Sequence, residues 1–178
     1  SHGINTAVDR VLFRKHHAAE DRLRRVTAAL PFATTERSIA ESIVVEPARN
    51  LELASAALFY RASADSQLQR VLSTGWDEQH VSSLDPESLL VRYLQAEHTA
   101  LRIGDDQQWL PQRVPEGIAR PVLAVPIVSQ HMLNAVVLYG SHTNGTLPDP
   151  DEVTLLEALA KAAATSHQQV RIATLMRE

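Results

Sequence analysis

Histidines and acidic residues are the side chains with which catalysis or metal binding would begin in this sequence. The chain of 178 residues has eight histidines and no cysteine, so thiolate nucleophiles, thiolate metal sites and thioether-linked cofactors are excluded. His16 and His17 are adjacent and would point apart on a helix, and no other histidine pair has metal-ligand spacing. Asp105 and Asp106 could bind a cation, although an exposed turn is the simpler interpretation. We therefore expect no catalytic residue, no metal site and no cofactor.

The elements that would position any site are clearest in residues 121–178. Two apolar strands, 121–128 and 132–139, are separated by a tight turn. Asp149 is a typical helix N-cap and Pro150 fits the first helical position, which predicts a helix that runs to the last residue. Such a helix is about 43 Å long, more than the cover of one small sheet requires. We expect it to extend beyond its domain.

Helices dominate the first fifty residues of the predicted structure. A helix over 5–30 ends at Pro31, and Thr34 or Thr35 then caps a second helix. Pro47 should kink or restart that second helix, because proline has no backbone N–H.

The middle of the chain predicts strands, one further helix and a long loop. Residues 53–61 and 67–73 form a hairpin, and Asp85-Pro86 should start a helix over 87–97. A strand over 99–103 and a loop over 104–119 follow. Since several strands are apolar on both faces, helices must cover the sheet, which predicts an α+β fold with a mainly antiparallel sheet of about five to six strands.

Charge and composition restrict the class of partner. Residues 1–30 carry a net charge of +3, whereas the whole chain carries −4 and has 4% aromatic residues. A basic arm on an acidic body is more simply a solvated helix face than a nucleic-acid site, so we expect no nucleic-acid partner. No apolar run reaches the roughly 20 residues that span a bilayer, and no signal peptide is evident.

Four segments together resemble a GAF domain, a small sensory module of signalling proteins. They are a strand at 54–61, Arg-Pro-Val-Leu-Ala-Val-Pro-Ile at 120–127, Asn-Ala-Val-Val-Leu-Tyr-Gly at 134–140, and Asp-Pro-Asp-Glu-Val-Thr-Leu-Leu-Glu-Ala-Leu-Ala at 149–160. The resemblance covers residues 35–165. Residues 8–15 are similar to the linker that follows a membrane-embedded module in some bacterial GAF sensors, which implies tethering to a membrane module outside this chain.

The resemblance implies a sensory role without fixing a ligand. GAF photoreceptors usually attach a bilin through cysteine, and the GAF-type methionine sulfoxide reductases need catalytic cysteines, so both are excluded. The Asn-Lys-x-Phe-Asp-Glu signature of many cyclic-nucleotide-binding members is also missing. A haem could use His80 or His98, for which exposed loop histidines are the plainer interpretation.

GAF geometry places a ligand pocket between the sheet and residues 76–119. The side chains there that suit a ring or an organic anion are Trp76, His80, Tyr93, Arg102, Trp109 and Arg113. The alternative is that the three aromatic side chains fill this hollow as core.

Apolar residues at spacings of three and four on the terminal helices predict a homodimer seam. The seam consists of Leu12, His16, Ala19, Leu23, Val26, Leu30, Leu156, Ala160, Ala163, His167 and Val170. Burial in this seam should lower the pKa values of His16 and His167.

The predicted organisation has three parts. Residues 1–33 form a linker and dimerisation helix, 34–160 the sensory domain, and 161–178 the continuation of a signalling helix. We expect a non-catalytic, cytoplasmic sensory and dimerisation module of a bacterial signalling protein, located at the inner membrane if it is tethered. The alternative is a monomeric domain that binds a small metabolite.

Overall fold

The computed structural model describes residues 17–105 and 108–177, which form one sheet with helices on both sides. The strands are β1 (Ala56–Tyr60), β2 (Leu68–Thr74), β3 (Ser83–Leu84), β4 (Leu101–Arg102), β5 (Leu123–Ser129) and β6 (Met132–Tyr139). The helices are α1 (residues 17–29), α2 (Glu36–Asn50), α3 (Leu89–Glu97) and α4 (Pro150–Arg177). Short 3₁₀ turns occur at Leu30–Phe32 and Gly117–Ala119.

The six strands pair in the order β3-β2-β1-β6-β5-β4, and every pairing is antiparallel. The predicted α+β fold is therefore confirmed. The hairpin between β5 and β6 turns through Gln130 and His131, whose φ angles are 52° and 64°. Two left-handed residues in a two-residue loop match the right-handed twist of the adjoining strands.

Each face of the sheet has its own apolar core, as the two-sided strands predict. On the face covered by α1, α2 and α4, which we call the helix face, Leu123, Val125 and Ile127 are buried. On the face covered by α3 and residues 76–119, which we call the loop face, Ala124 and Leu138 are buried. Alternate residues of β5 thus serve opposite cores.

The three helices that cover the helix face are α1 and α4, which are parallel, and α2, which is antiparallel to both. Carboxylate oxygens of Glu20 in α1 lie within 4.8 Å of those of Asp149 and Asp151 at the start of α4. Further along, Ser166 Oγ in α4 donates to the Leu30 carbonyl at 2.8 Å. The two helices therefore run side by side in one direction. α2 runs in the opposite direction, because its start lies near His167 of α4 and its end near Arg22 of α1.

The start of α4 is a capping box, as Asp149 and Pro150 predict. Asp149 Oδ1 accepts from the Glu152 N–H at 2.8 Å, and Glu152 Oε1 accepts from the Asp149 N–H at 2.9 Å. The other Glu152 oxygen contacts His142 Nε2 at 2.8 Å. None of the described helices, α4 included, combines the length and apolar composition of a membrane span.

Two predicted helix features need correction. Pro47 does not restart α2, because the helix continues through it to Asn50. The third helix begins at Leu89 rather than at residue 87, and its cap is Ser88, whose Oγ accepts from the Val91 N–H at 3.4 Å. Asp85 instead closes the preceding turn, where its carboxylate accepts from the Glu87 N–H at 2.8 Å. At the start of α2, Thr35 is the cap, one of the two threonines that the sequence offers.

Candidate ligand site on the loop face

The predicted pocket region is built around a core that already fills much of the loop face. Its buried side chains come from strands, from α3 and from the long loop. The buried members include Phe59, Leu68, Leu84, Leu90, Leu94, Ile103, Leu110, Val114, Leu133 and Val136, of which Leu110 and Val114 are each 9% exposed. Trp76, Tyr93 and Trp109 are partly buried and pack against this cluster. The three aromatic candidates therefore lie on the loop face, where they cover its core.

Trp76 is positioned by the glycine that precedes it. Gly75 has a φ of +76°, and a Cβ at this position would overlap the carbonyl oxygen of Ala54. Only glycine tolerates both the backbone conformation and the close approach. The chain can thus leave β2 sharply and bring Trp76 over the sheet.

A cluster of ring and cation contacts surrounds Trp76. Its ring meets Phe59 and His80 edge-on at centroid distances of 5.6 and 5.7 Å, and the Arg70 guanidinium lies 5.3 Å from its centroid. Trp76 Nε1 is buried and has no hydrogen-bond partner within the described residues. A buried donor without a partner costs free energy, and a ligand acceptor would recover it.

Arg70 holds this cluster together, and the sequence analysis missed it. Its guanidinium donates to the carbonyls of Val81, Asp77 and His80 at 3.2, 2.9 and 3.3 Å, and to Ser73 Oγ at 3.0 Å. The signal in the sequence that could have indicated this role is an arginine inside a predicted strand, six positions before a tryptophan.

His80 is fixed by the same turn. Its Nδ1 accepts from the Asp77 N–H at 2.9 Å, so the neutral ring carries its proton on Nε2.

The other candidates separate into a ring pair and two distant arginines. Tyr93 and Trp109 meet edge-on at 5.3 Å. Arg102 is exposed and donates to the Pro148 carbonyl at 2.8 Å, which ties β4 to the loop before α4. Arg113 is also exposed, with a φ of 61°, and its own carbonyl accepts from the Val81 N–H. Within the described residues, neither arginine pairs with the aromatic rings, so these side chains do not form one anion site.

Two cavities of the described structure lie away from these residues. One of about 290 Å³ opens between α2, α4 and the helix face of the sheet. Another of about 830 Å³ has a mixed polar and apolar lining and lies beside α1, the end of α2 and the loop before α4. The carboxylates of Glu20 in α1 and of Asp149 and Asp151 at the start of α4 are the candidate metal ligands by proximity, although Asp149 is already engaged in the helix cap.

The predicted seam residues pack inside one chain wherever the structure describes them. Leu12 and His16 lie outside the described residues. Buried members are Ala19, Leu23, Leu30, Leu156, Ala160, Ala163 and Val170, and Val26 and His167 are half-buried. These side chains already contribute to the helix-face core, so a dimer would need other side chains of the same helices. The dimer itself stays a prediction.

His167 lies at the edge of that core. Its Nε2 is 3.5 Å from Glu36 Oε1, and its ring meets Tyr60 edge-on at 5.1 Å. Burial lowers the pKa of His167, with a further lowering by Arg171, while Glu36 acts in the opposite direction. The direction agrees with the prediction, although the burial arises within one chain.

The sequence model of the GAF domain family matches residues 35–167. The chain therefore belongs to the GAF domain family.

Solved structures of GAF domains share its fold at low sequence identity. The GAF domain of a phosphoenolpyruvate-protein phosphotransferase from Coxiella burnetii is 16% identical, with a TM-score of 0.67 over 90% of this chain and 98% of that one. A GAF domain of a two-component sensor histidine kinase from Bacillus halodurans is 16% identical, with a TM-score of 0.61 over 80% and 99%.

An enzyme has the same fold. The free methionine-R-sulfoxide reductase from Neisseria meningitidis is 15% identical, with a TM-score of 0.69 over 89% of this chain and 93% of that one. No curated protein sequence is similar enough to count as a match.

Proposed function

We propose that this chain is a non-catalytic, cytoplasmic sensory module of a bacterial signalling protein, which forms a homodimer through its terminal helices and transmits changes in the domain through α4. The observation that carries the proposal is α4 itself. Its first half packs on the sheet, whereas Leu175 and Met176 near its end are 67% and 83% exposed. One rigid helix thus joins the domain core to a surface that a partner can cover.

Membership of the GAF family supports a regulatory role, since solved relatives come from a sensor kinase and a phosphotransferase. The reductase with the same fold favours the opposite class. This chain cannot catalyse a reduction that depends on its own thiol, because it has no cysteine.

Exposed apolar side chains on the terminal helices define where the proposed dimer contact lies. Phe32, in the turn after α1, is 83% exposed, and Leu175 and Met176 are exposed near the end of α4. We propose that these side chains form one apolar patch in the dimer, since a contiguous exposed apolar patch is typical of a surface that binds another protein.

Light scattering at tens of micromolar chain tests this contact. We expect a mass about twice 19.6 kDa for the wild type. The double substitution Leu175→Ser and Met176→Ser should yield a monomer, whereas Leu147→Ser, which alters another exposed leucine, should leave the dimer intact. A monomeric wild type, or a dimer that the double substitution does not weaken, would contradict the proposal.

The alternative function is a monomeric domain that binds a small metabolite on the loop face. The unpartnered Trp76 Nε1 favours this function, because a ligand with an acceptor atom would satisfy it. A ligand-dependent rise in melting temperature without a change in mass would support this alternative.

A further inference from the structure

The smaller cavity lies on the helix face, where α2 and α4 do not fully cover the sheet. Ile39 and Ile43 of α2, Leu58 of β1 and Ile127 of β5 contribute apolar walls, and small side chains of α4, Ala163 and Ala164, leave the space open. Its volume of about 290 Å³ is near the lower end of the range for ligand pockets. The loop-face site described above is on the opposite side of the sheet.

Two β-bulges shape this cavity. In the pairing of β1 with β2, Leu58 pairs with Leu72 and Phe59 with Arg70, so Val71 is unmatched. In the pairing of β5 with β6, Ile127 pairs with Ala135 and Val128 with Leu133, so Asn134 is unmatched. Both unmatched residues line the cavity. Bulges re-aim side chains and occur frequently beside functional sites.

The polar groups on the cavity wall are few and suit a single hydrogen-bonding group. The Asn134 side-chain amide makes no hydrogen bond within the described residues, although it lines a mostly apolar space. The Tyr60 hydroxyl accepts from Arg171 Nη1 at 3.3 Å and keeps its own proton to donate. His167 adds an imidazole at the α4 side.

Charge is confined to the mouth of the cavity. Glu36 and Arg37 are 62% and 71% exposed, and Arg37 Nε is already paired with Glu41 at 2.9 Å. The pKa of His167 is lowered by burial, so its ring is mainly neutral at neutral pH. A charged ligand group inside would lose hydration without a fixed counter-ion.

We propose that this helix-face cavity binds a small, uncharged, mainly apolar molecule whose one polar group is held by Asn134. The apolar body fills the space between Ile39, Leu58 and Ala163. The occupant would contact α2, α4 and the sheet together, and so stabilise the position of α4. The site requires neither the dimer nor the loop-face ligand, so it goes beyond the proposed function.

Indole is a suitable probe, because it is uncharged, apolar over most of its surface and has one N–H donor. Titration of the ¹⁵N-labelled full chain should give saturable amide shifts at 39–43, 134–135 and 163–167. Indole-3-acetate and tryptamine should bind at least about tenfold more weakly, since each brings a charge into the cavity. Shifts confined to residues 76–80, tighter binding of a charged analogue, or no saturation would overturn the proposal.

Two substitutions on α2 distinguish a side chain that fills the cavity from one that only disturbs the packing of the helix. Ala40 lines the cavity and Ala48 does not, although both are half-buried residues of α2 packed against the same core. Ala40→Met should weaken indole binding by about tenfold or more, and Ala48→Met should leave it within about twofold. Equal binding by wild type and a folded Ala40→Met would overturn the proposal.

A second variant keeps the test decisive if Ala40→Met does not fold. Asn134→Leu removes the polar group with little change in volume, and it should weaken indole about tenfold. Unchanged binding by this variant would refute the role of Asn134. If the same amides shift with protein concentration and not with indole, the occupant is a second copy of the chain and the proposal is wrong.

Discussion

At the scale of single residues, Tyr139 compensates for the proline inside α2. Pro47 has no N–H, so the Ile43 carbonyl one turn earlier lacks its usual helical donor. The Tyr139 hydroxyl donates to that carbonyl at 2.6 Å from the end of β6. Tyr139 is 1% exposed, and burial raises its pKa well above the usual range, so the hydroxyl remains a donor. The helix therefore passes through Pro47 without an orphaned buried acceptor.

A double-mutant cycle tests this compensation. Tyr139→Phe should lower the free energy of unfolding by about 1–3 kcal/mol, because it leaves the Ile43 carbonyl buried without a donor. In a Pro47→Ala background the restored N–H can donate to the same carbonyl, so Tyr139→Phe should cost less. Urea denaturation of the four proteins measures both costs. Equal costs in the two backgrounds would show that the hydroxyl does not compensate for the proline.

Hydrogen bonds of single residues were predictable where donor and acceptor are close in sequence. The Thr35 cap and the Asp149–Glu152 capping box each depend on residues three positions apart. The bond from Tyr139 joins residues 96 positions apart, and no local pattern contains it. For the same reason the sequence analysis named Trp76 and His80 but missed Arg70, whose acceptors are mostly carbonyls of the turn that follows β2.

At the scale of elements, His167 links the end of the α4 packing region to the start of α2. It faces Glu36 of α2, Tyr60 of β1 and Arg171 of α4. Burial and Arg171 lower its pKa, and the partial opposition of Glu36 does not reverse the shift. The folded chain therefore binds fewer protons at this histidine than the unfolded chain.

Acidification should loosen this contact between α2 and α4. A histidine in the unfolded chain titrates near pH 6.5, so the folded state loses stability as the pH falls below that value. Urea midpoints at pH 7.5 and 5.5 should therefore decline more in the wild type than in His167→Leu. The other histidines are common to both proteins, so their contribution cancels in the comparison. An identical decline in both proteins would refute the account of His167.

The order of elements was predictable, whereas the shape of the helix-face cavity was not. The two hairpins and the capped start of α4 are visible in the sequence and were confirmed, whereas the two-residue strand β3 was not predicted. The cavity depends on unmatched residues at Val71 and Asn134. A bulge changes the face of the sheet to which one side chain points. Its position depends on how two strands pair, and the apolar pattern of a single strand does not contain that information.

At the scale of the whole molecule, the two candidate ligand sites lie on opposite sides of one sheet. The loop face has the Trp76 cluster, and the helix face has α4 and the cavity beside it. β5 and β6 contribute buried residues to both cores, and the proposed relay would pass from either face to α4 through these strands. The proposed dimer would convert such a change into a new arrangement of two α4 helices.

The proximity of two α4 helices is the most direct measurement of this account. Because the chain has no cysteine, Gln169→Cys on the exposed side of α4 provides a single site for a nitroxide label. Pulsed dipolar spectroscopy should give one narrow distance between labels, and dilution with unlabelled chain should reduce its modulation depth. If the dipolar signal at tens of micromolar chain, the concentration used for light scattering, contains no distance between two labels, a dimer through the terminal helices is contradicted.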